Sequence, residues 1–136
     1  IDPVTAEITE YELPHADSRP RRIALTPDDA VWYTDYTRGY LGRFDPETGD
    51  VQEWASPGGA DSRPYGIATV GNVIWYSESS ARPNTLVRFD TETEVFQSWV
   101  IPSGGGVIRN MMATADGNLV LACSAVNRVA LVEVGT

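Results

Sequence analysis

Two carboxylates stand at matching places in the chain. Asp35 ends Val31-Trp32-Tyr33-Thr34-Asp35, and Glu78 ends Ile74-Trp75-Tyr76-Ser77-Glu78. Hard carboxylate oxygens suit Mg²⁺, so Asp35 and Glu78 are the candidate metal ligands. Their plainer role is to accept hydrogen bonds from turn backbone, or to pair with Arg21 and Arg22. Tyr65 offers a phenol as proton donor and a ring for stacking a substrate; its plainer role is packing at a rim with a wet hydroxyl. Arg21, Arg22 and Arg109 either hold an anionic ligand or neutralise carboxylates of an acidic surface. His15 is the single imidazole, in Leu13-Pro14-His15-Ala16-Asp17-Ser18. It could serve as a general base with Asp17 as its orienter, although a lone loop histidine is ordinarily just solvated. Cys123 follows the apolar run Leu119-Val120-Leu121-Ala122 and reads as a buried small hydrophobe. The sequence contains no Gly-x-Ser-x-Gly, P-loop or dinucleotide fingerprint. Ser103-Gly104-Gly105-Gly106 lacks the strand-to-helix setting of a phosphate cradle and reads as a flexible loop.

The elements that position these groups come from a repeat. Asp17-Ser18-Arg19-Pro20 returns 44 residues later as Asp61-Ser62-Arg63-Pro64. The two Trp-Tyr segments are 43 apart, and Arg43-Phe44-Asp45 returns 45 later as Arg88-Phe89-Asp90. A weaker third copy follows, in which Met112-Ala113-Thr114 matches Ile67-Ala68-Thr69. Each repeat holds four short segments rich in Val, Ile, Thr, Tyr and Trp, separated by turn residues. The first strands are expected near 21–25, 65–69 and 110–114, and the second near 30–34, 73–77 and 118–123. The third are expected at 40–44, 85–89 and 128–132, and the fourth at 7–13, 51–55 and 95–100. Four strands per 44 residues predict an all-β chain of β-propeller blades. Trp32, Trp54, Trp75 and Trp99 recur with the blades, which predicts packing between adjacent blades or capping of blade edges rather than a carbohydrate platform.

The order of strands bears on assembly. Residues 1–136 form one domain of three blades, in which Glu7–Leu13 is a fourth strand with no blade before it. The last blade lacks a fourth strand. Three blades are too few to close a ring, since closed propellers have about four to eight. The leading strand is expected to finish a third blade: two copies around a dyad would make six blades, and the strand would then complete blade three of the partner. The other reading is a fragment of a six- or seven-bladed parent. The chain starts at Ile1 rather than Met, which suggests trimming, and it shows no signal peptide.

Composition narrows the partners. Ten basic against nineteen acidic residues give a net charge of −9. Phosphate backbones and anionic membranes repel such a chain, so neither nucleic acid nor membrane is expected as a partner. No apolar run is long enough to span a bilayer. One cysteine excludes an intrachain disulfide, and one histidine excludes a multi-histidine metal cage. The compartment stays open: cytoplasmic and secreted settings both suit the composition.

The pattern Ser18-Arg19-Pro20 through Ile23-Ala24, then Val31–Asp35, then Leu41-Gly42-Arg43-Phe44-Asp45-Pro46-Glu47-Thr48-Gly49, resembles the virginiamycin B lyase (streptogramin lyase) family. The opening Ile8–Pro14 is similar to that family's fourth strand. The resemblance is strong over residues 1–99 and weak over 104–136. It implies a propeller, seven-bladed in the family, and opening of a cyclic depsipeptide by elimination, using Mg²⁺ and a histidine base. It also implies that the starts of first strands and the ends of second strands meet at one face, near the central channel. The family has a histidine just after the proline that opens the first strand. Here Arg21 and Tyr65 hold that place, and Asn110 holds it in the third repeat. The acidic place survives as Asp35 and Glu78 and becomes Ser124. The expected histidine base is therefore missing. The reading is a small-ligand-binding or vestigial, non-catalytic module that pairs with a second copy. Its ligand would meet Arg21, Asp35, Tyr65, Glu78 and Asn110. The alternative is a Mg-dependent lyase or lactonase-like hydrolase with a site formed across the dimer axis.

Overall fold

The computed structural model describes residues 2–135. Among these residues eleven strands form three antiparallel sheets. The first runs β1 (Pro20–Leu25), β2 (Val31–Asp35), β3 (Tyr40–Phe44) and β4 (Val51–Ala55), hydrogen-bonded in that order. The second runs β5 (Pro64–Val70), β6 (Val73–Glu78), β7 (Thr85–Asp90) and β8 (Val95–Val100). The third has only β9 (Met111–Ala113), β10 (Leu119–Cys123) and β11 (Arg128–Val132). Each is a meander of neighbouring hairpins, which turn residues such as Gly49 at φ +78° and Gly117 at φ +85° allow. The chain is thus all-β, with the propeller blades that the repeat predicts.

Two differences from expectation stand out. Glu7–Leu13 joins no sheet among the described residues. Tyr11 nevertheless packs on Phe44, with ring centroids 4.8 Å apart. Trp54 of β4 packs in the same way on Phe89 of the next blade, at 5.1 Å. The segment therefore takes the inter-blade place of a fourth strand beside blade one, away from the third blade of its own chain. The second difference is a short 3-10 turn, Ser124–Val126, where the first blade has a four-residue turn and the second a longer loop over residues 79–84.

The innermost strands β1, β5 and β9 lie side by side. A hydroxyl at the same place in two repeats clasps each blade to the next. Thr34 Oγ1 donates to the Tyr65 carbonyl at 2.7 Å, and Ser77 Oγ donates to the Ile108 carbonyl at 2.8 Å. Two apolar clusters fill the gaps between blades. One joins Trp32, Leu41, Ile74, Tyr76, Val87 and Phe89; the other joins Trp75, Leu86, Ile108, Met111, Leu119 and Leu121. The indoles stack within blades, Trp32 on Trp54 at 5.4 Å and Trp75 on Trp99 at 5.8 Å. Cys123 is fully buried and unpaired.

Candidate functional site

The candidate site lies where the first strands begin. Both β1 and β5 carry a bulge there: the register shifts between Pro20 and Ile23, and between Pro64 and Ile67. A bulge re-aims the side chains that it spans. In β1 these are Arg21 and Arg22; in β5 they are Tyr65 and Gly66. A glycine is required at position 66, because a Cβ there would meet the Ile108 carbonyl oxygen at 2.9 Å.

The result is an alternating ladder of cations and rings. The Arg21 guanidinium sits 4.2 Å from the Tyr36 ring centroid and 5.6 Å from that of Tyr65. Arg22 sits 5.1 Å from Tyr65, and Arg63 sits 5.2 Å from Tyr36. The two tyrosines meet edge-on at 5.5 Å. Each contact sets a guanidinium against the ring's electron-rich face. Arg22 reaches across to the third blade, where its Nε donates to the Arg109 carbonyl at 3.1 Å and to Asn110 Oδ1 at 3.2 Å. Arg63 donates to the carbonyls of Tyr36 and Thr37. Arg109 donates to Ser124 Oγ at 3.4 Å. Arg21 has no hydrogen-bond acceptor among the described residues, and its Nε is buried without a partner. None of these four arginines has a carboxylate within ion-pair distance among the described residues.

The structure thus joins Tyr65 to Arg21, and to Asn110 through Arg22, while the carboxylates of Asp35 and Glu78 are bonded to other groups. Asp35 is fully buried. Its Oδ1 accepts from the backbone N–H groups of Arg19 and Arg38, and its Oδ2 meets the Arg38 guanidinium at 3.2 Å. The expected pairing with Arg21 or Arg22 gives way to Arg38, which also meets Glu53 at 3.0 Å and Asp17 at 3.8 Å. Burial pulls the pKa of Arg38 down, but the hydrogen bond and charge of Glu53, followed by Asp35, outweigh it and leave it raised. Glu78 is also buried. Its Oε2 accepts from Ser56 Oγ and the Gly58 N–H, each at 2.6 Å, and its Oε1 accepts from Thr85 Oγ1 at 2.6 Å.

Both carboxylates are therefore tethers for the loops that lead into the first strands. Ser124 does the same work in the third blade, donating to the Val107 carbonyl at 2.8 Å. A Mg²⁺ ion needs open carboxylate oxygens, and every oxygen of Asp35 and Glu78 is already engaged by its own chain. No group of three or more His, Cys, Asp or Glu among the described residues is arranged to hold a metal. The residues present do not fit the ion that the family resemblance implies.

His15 is half exposed and lies 3.8 Å from Glu53, while Asp17 turns to Arg38. The proposed His15–Asp17 pairing is thus replaced on both sides. Tyr36, Arg38 and Arg63 are the site residues that sequence reasoning missed. The repeated Ser-Arg-Pro held a signal for Arg63, and Tyr36 adjoins Asp35; only the packing shows their partners.

The chain matches the virginiamycin B lyase family model over residues 3–136. Among solved structures it is similar to a catalytically inactive variant of virginiamycin B lyase from Staphylococcus aureus with quinupristin. That match has 27% identity and a TM-score of 0.81, over 92% of this chain and 41% of the other. Selenomethionine-substituted virginiamycin B lyase from the same organism matches at 25% identity and TM-score 0.79, over 90% of this chain and 41% of that one. A streptogramin B lyase structure shares the fold at 23% identity and TM-score 0.75, over 96% and 45%. The chain thus spans less than half the length of these structures. No curated protein matches it. On its repeat, its blades and the match along almost its whole length, this chain belongs to the virginiamycin B lyase family.

Proposed function

We propose that the chain is a non-catalytic, small-ligand-binding module of the lyase family, working at the face where its first strands begin. One observation carries this reading: the three places that open the first strands hold Arg21, Tyr65 and Asn110. Abstracting a proton next to a carbonyl needs a base with a pKa near the working pH. A guanidinium has no lone pair to offer, an amide is not basic, and a phenol is the wrong form at neutral pH. Asp35 and Glu78 are sealed into loop tethers, and His15 sits beside Glu53. Incubation with a streptogramin B and Mg²⁺ is the test. No ring-opened product is expected at high protein concentration, and product formation would overturn the reading.

The module works as two copies whose six blades surround one axis. Supporting this, β11 has β10 as its only strand partner among the described residues, so one backbone edge is open. Beside it runs a groove of about 960 Å³, lined by Trp75, Leu86, Trp99, Leu121 and Val132. Trp99 is 47% exposed there. The Glu7–Leu13 segment has the complementary features. Ile8 is 71% exposed and holds the repeat position of Phe96, which packs against the cluster between the first two blades. Pairing of Glu7–Leu13 with β11 of the second copy would place Ile8 over Trp99 and leave Tyr11 on Phe44. Sedimentation at micromolar concentration should give the mass of two chains; the mass of one chain would sink the pairing.

A further inference from the structure

We infer that the Arg21–Tyr36–Tyr65 ladder is a binding site for a small organic anion, of the aryl carboxylate class. The inference rests on the ligand-binding reading above and names the chemistry of the ligand. Charge is its first support. Nineteen acidic against ten basic residues leave this chain far from short of carboxylates. Arg38, Arg43 and Arg88 each take one or more. Arg21, Arg22 and Arg63 gather on the Tyr36 and Tyr65 rings and take none among the described residues, as is also true of the dispersed Arg19, Arg82, Arg109 and Arg128. Like charges drawn together without a counter-charge repel, and an incoming anion relieves that repulsion.

Hydrogen bonding is the second support. Arg22 and Arg63 are anchored through carbonyl oxygens, which holds the patch in shape. Arg21 differs from them, because no protein acceptor meets its donors and its Nε is buried and unpartnered. A guanidinium already held 4.2 Å over the Tyr36 ring centroid carries paired N–H groups, the geometry that takes a carboxylate through two bonds. The Tyr65 ring is half-buried, its hydroxyl has no partner among the described residues, and Arg21 and Arg22 flank it. It offers an aromatic ligand a surface beside the charge. An inorganic anion would use the guanidiniums and leave that ring idle.

Benzoate, sulfate and benzyl alcohol are the probes, titrated into the whole chain at low salt and followed by ligand-observed NMR and calorimetry. Benzoate should bind more tightly than sulfate, and benzyl alcohol should not bind. Arg21→Gln should weaken benzoate by about tenfold, the scale of one charge-assisted pair. Arg43→Gln removes the same charge elsewhere and should leave benzoate binding unchanged. Tyr65→Leu should weaken benzoate several-fold and spare sulfate. Absence of benzoate binding, or an equal loss in Arg21→Gln and Arg43→Gln, would overturn the site. Sulfate binding as tightly as benzoate would overturn the aryl class. Ring-opened streptogramin overturns only the non-catalytic reading, whereas failed benzoate binding overturns only the anion site, so the two failures are distinguishable.

Discussion

Glu78 accepts a hydrogen bond from Ser56 at 2.6 Å, and both side chains are buried. The bond ties the end of β6 in the second blade to the loop that leaves β4 in the first. The Gly58 N–H and Thr85 hydroxyl complete the shell of the carboxylate. Hydrogen bonds to a charged group each contribute about 1.5–3 kcal/mol. Glu78→Gln keeps the shape but turns one acceptor into a donor facing donors. It should lower stability by about 2–3 kcal/mol in urea unfolding. A loss below about 0.5 kcal/mol would show that the carboxylate is no tether.

Gly42 of β3 lies directly under the Tyr33 ring. A Cβ at that position would overlap Tyr33 Cζ, inside the van der Waals contact of any two carbons. Both residues are buried, so the ring has little room to yield. Gly42→Ala should therefore destabilise the chain by about 2–3 kcal/mol, as overpacked cores do. Combining it with Tyr33→Leu should recover a good part of that loss, as a double-mutant cycle would reveal.

Tyr33 also makes the chain sensitive to alkali. Burial, followed by the charges of Glu53 and Asp35, pushes its phenol up to about 12 from 10.0. The folded state therefore keeps this proton at a pH where the unfolded chain has released it. The associated stability is complete below pH 10 and is lost as the pH rises from about 10 towards 12. Burial raises Tyr76 in the same direction. Tyr33→Phe should make the fall of unfolding free energy over that range shallower. Its hydroxyl is buried without a partner, so the variant should match or exceed the parent at pH 7. An unchanged alkaline slope would refute the assignment.

Thr26 links an indole to a carboxylate. Trp32 Nε1 donates to Thr26 Oγ1 at 3.0 Å, and the hydroxyl donates on to Asp28 at 2.5 Å. That second bond is the main cause of the lowered pKa of Asp28. Thr26→Val would leave the buried indole N–H unmet, at about 1–2 kcal/mol. It should also move the Asp28 pKa back up, which NMR titration would read.

The groove at β11 predicts a change of assembly. Ile8→Asp places a charge where an apolar side chain is expected over Trp99. It should weaken self-association at least about tenfold in sedimentation, since an unpaired charge resists burial. Unaltered association would place the interface elsewhere.

The sequence by itself determined the blades. Strand pairing within a blade is local: each hairpin joins neighbours in the chain, so period-two polarity and turn residues are enough to specify it. The strands Tyr40–Phe44, Val51–Ala55, Val95–Val100 and Arg128–Val132 fall where the repeat puts them. The loss of the family histidine was legible in the same way, by aligning Arg21, Tyr65 and Asn110. The tertiary structure alone decided the neighbours of those residues. Asp35 found Arg38 rather than Arg21 because the tight turn after β2 brings Arg38 back onto it. Arg21 found Tyr36 because a bulge turned β1, and a bulge is a shift in pairing that no residue type announces. Glu7–Leu13 has the composition of a strand yet pairs with none among the described residues. A strand needs a partner edge to satisfy its backbone, and the open edge of β11 lies in a different blade from the Phe44 that holds Tyr11.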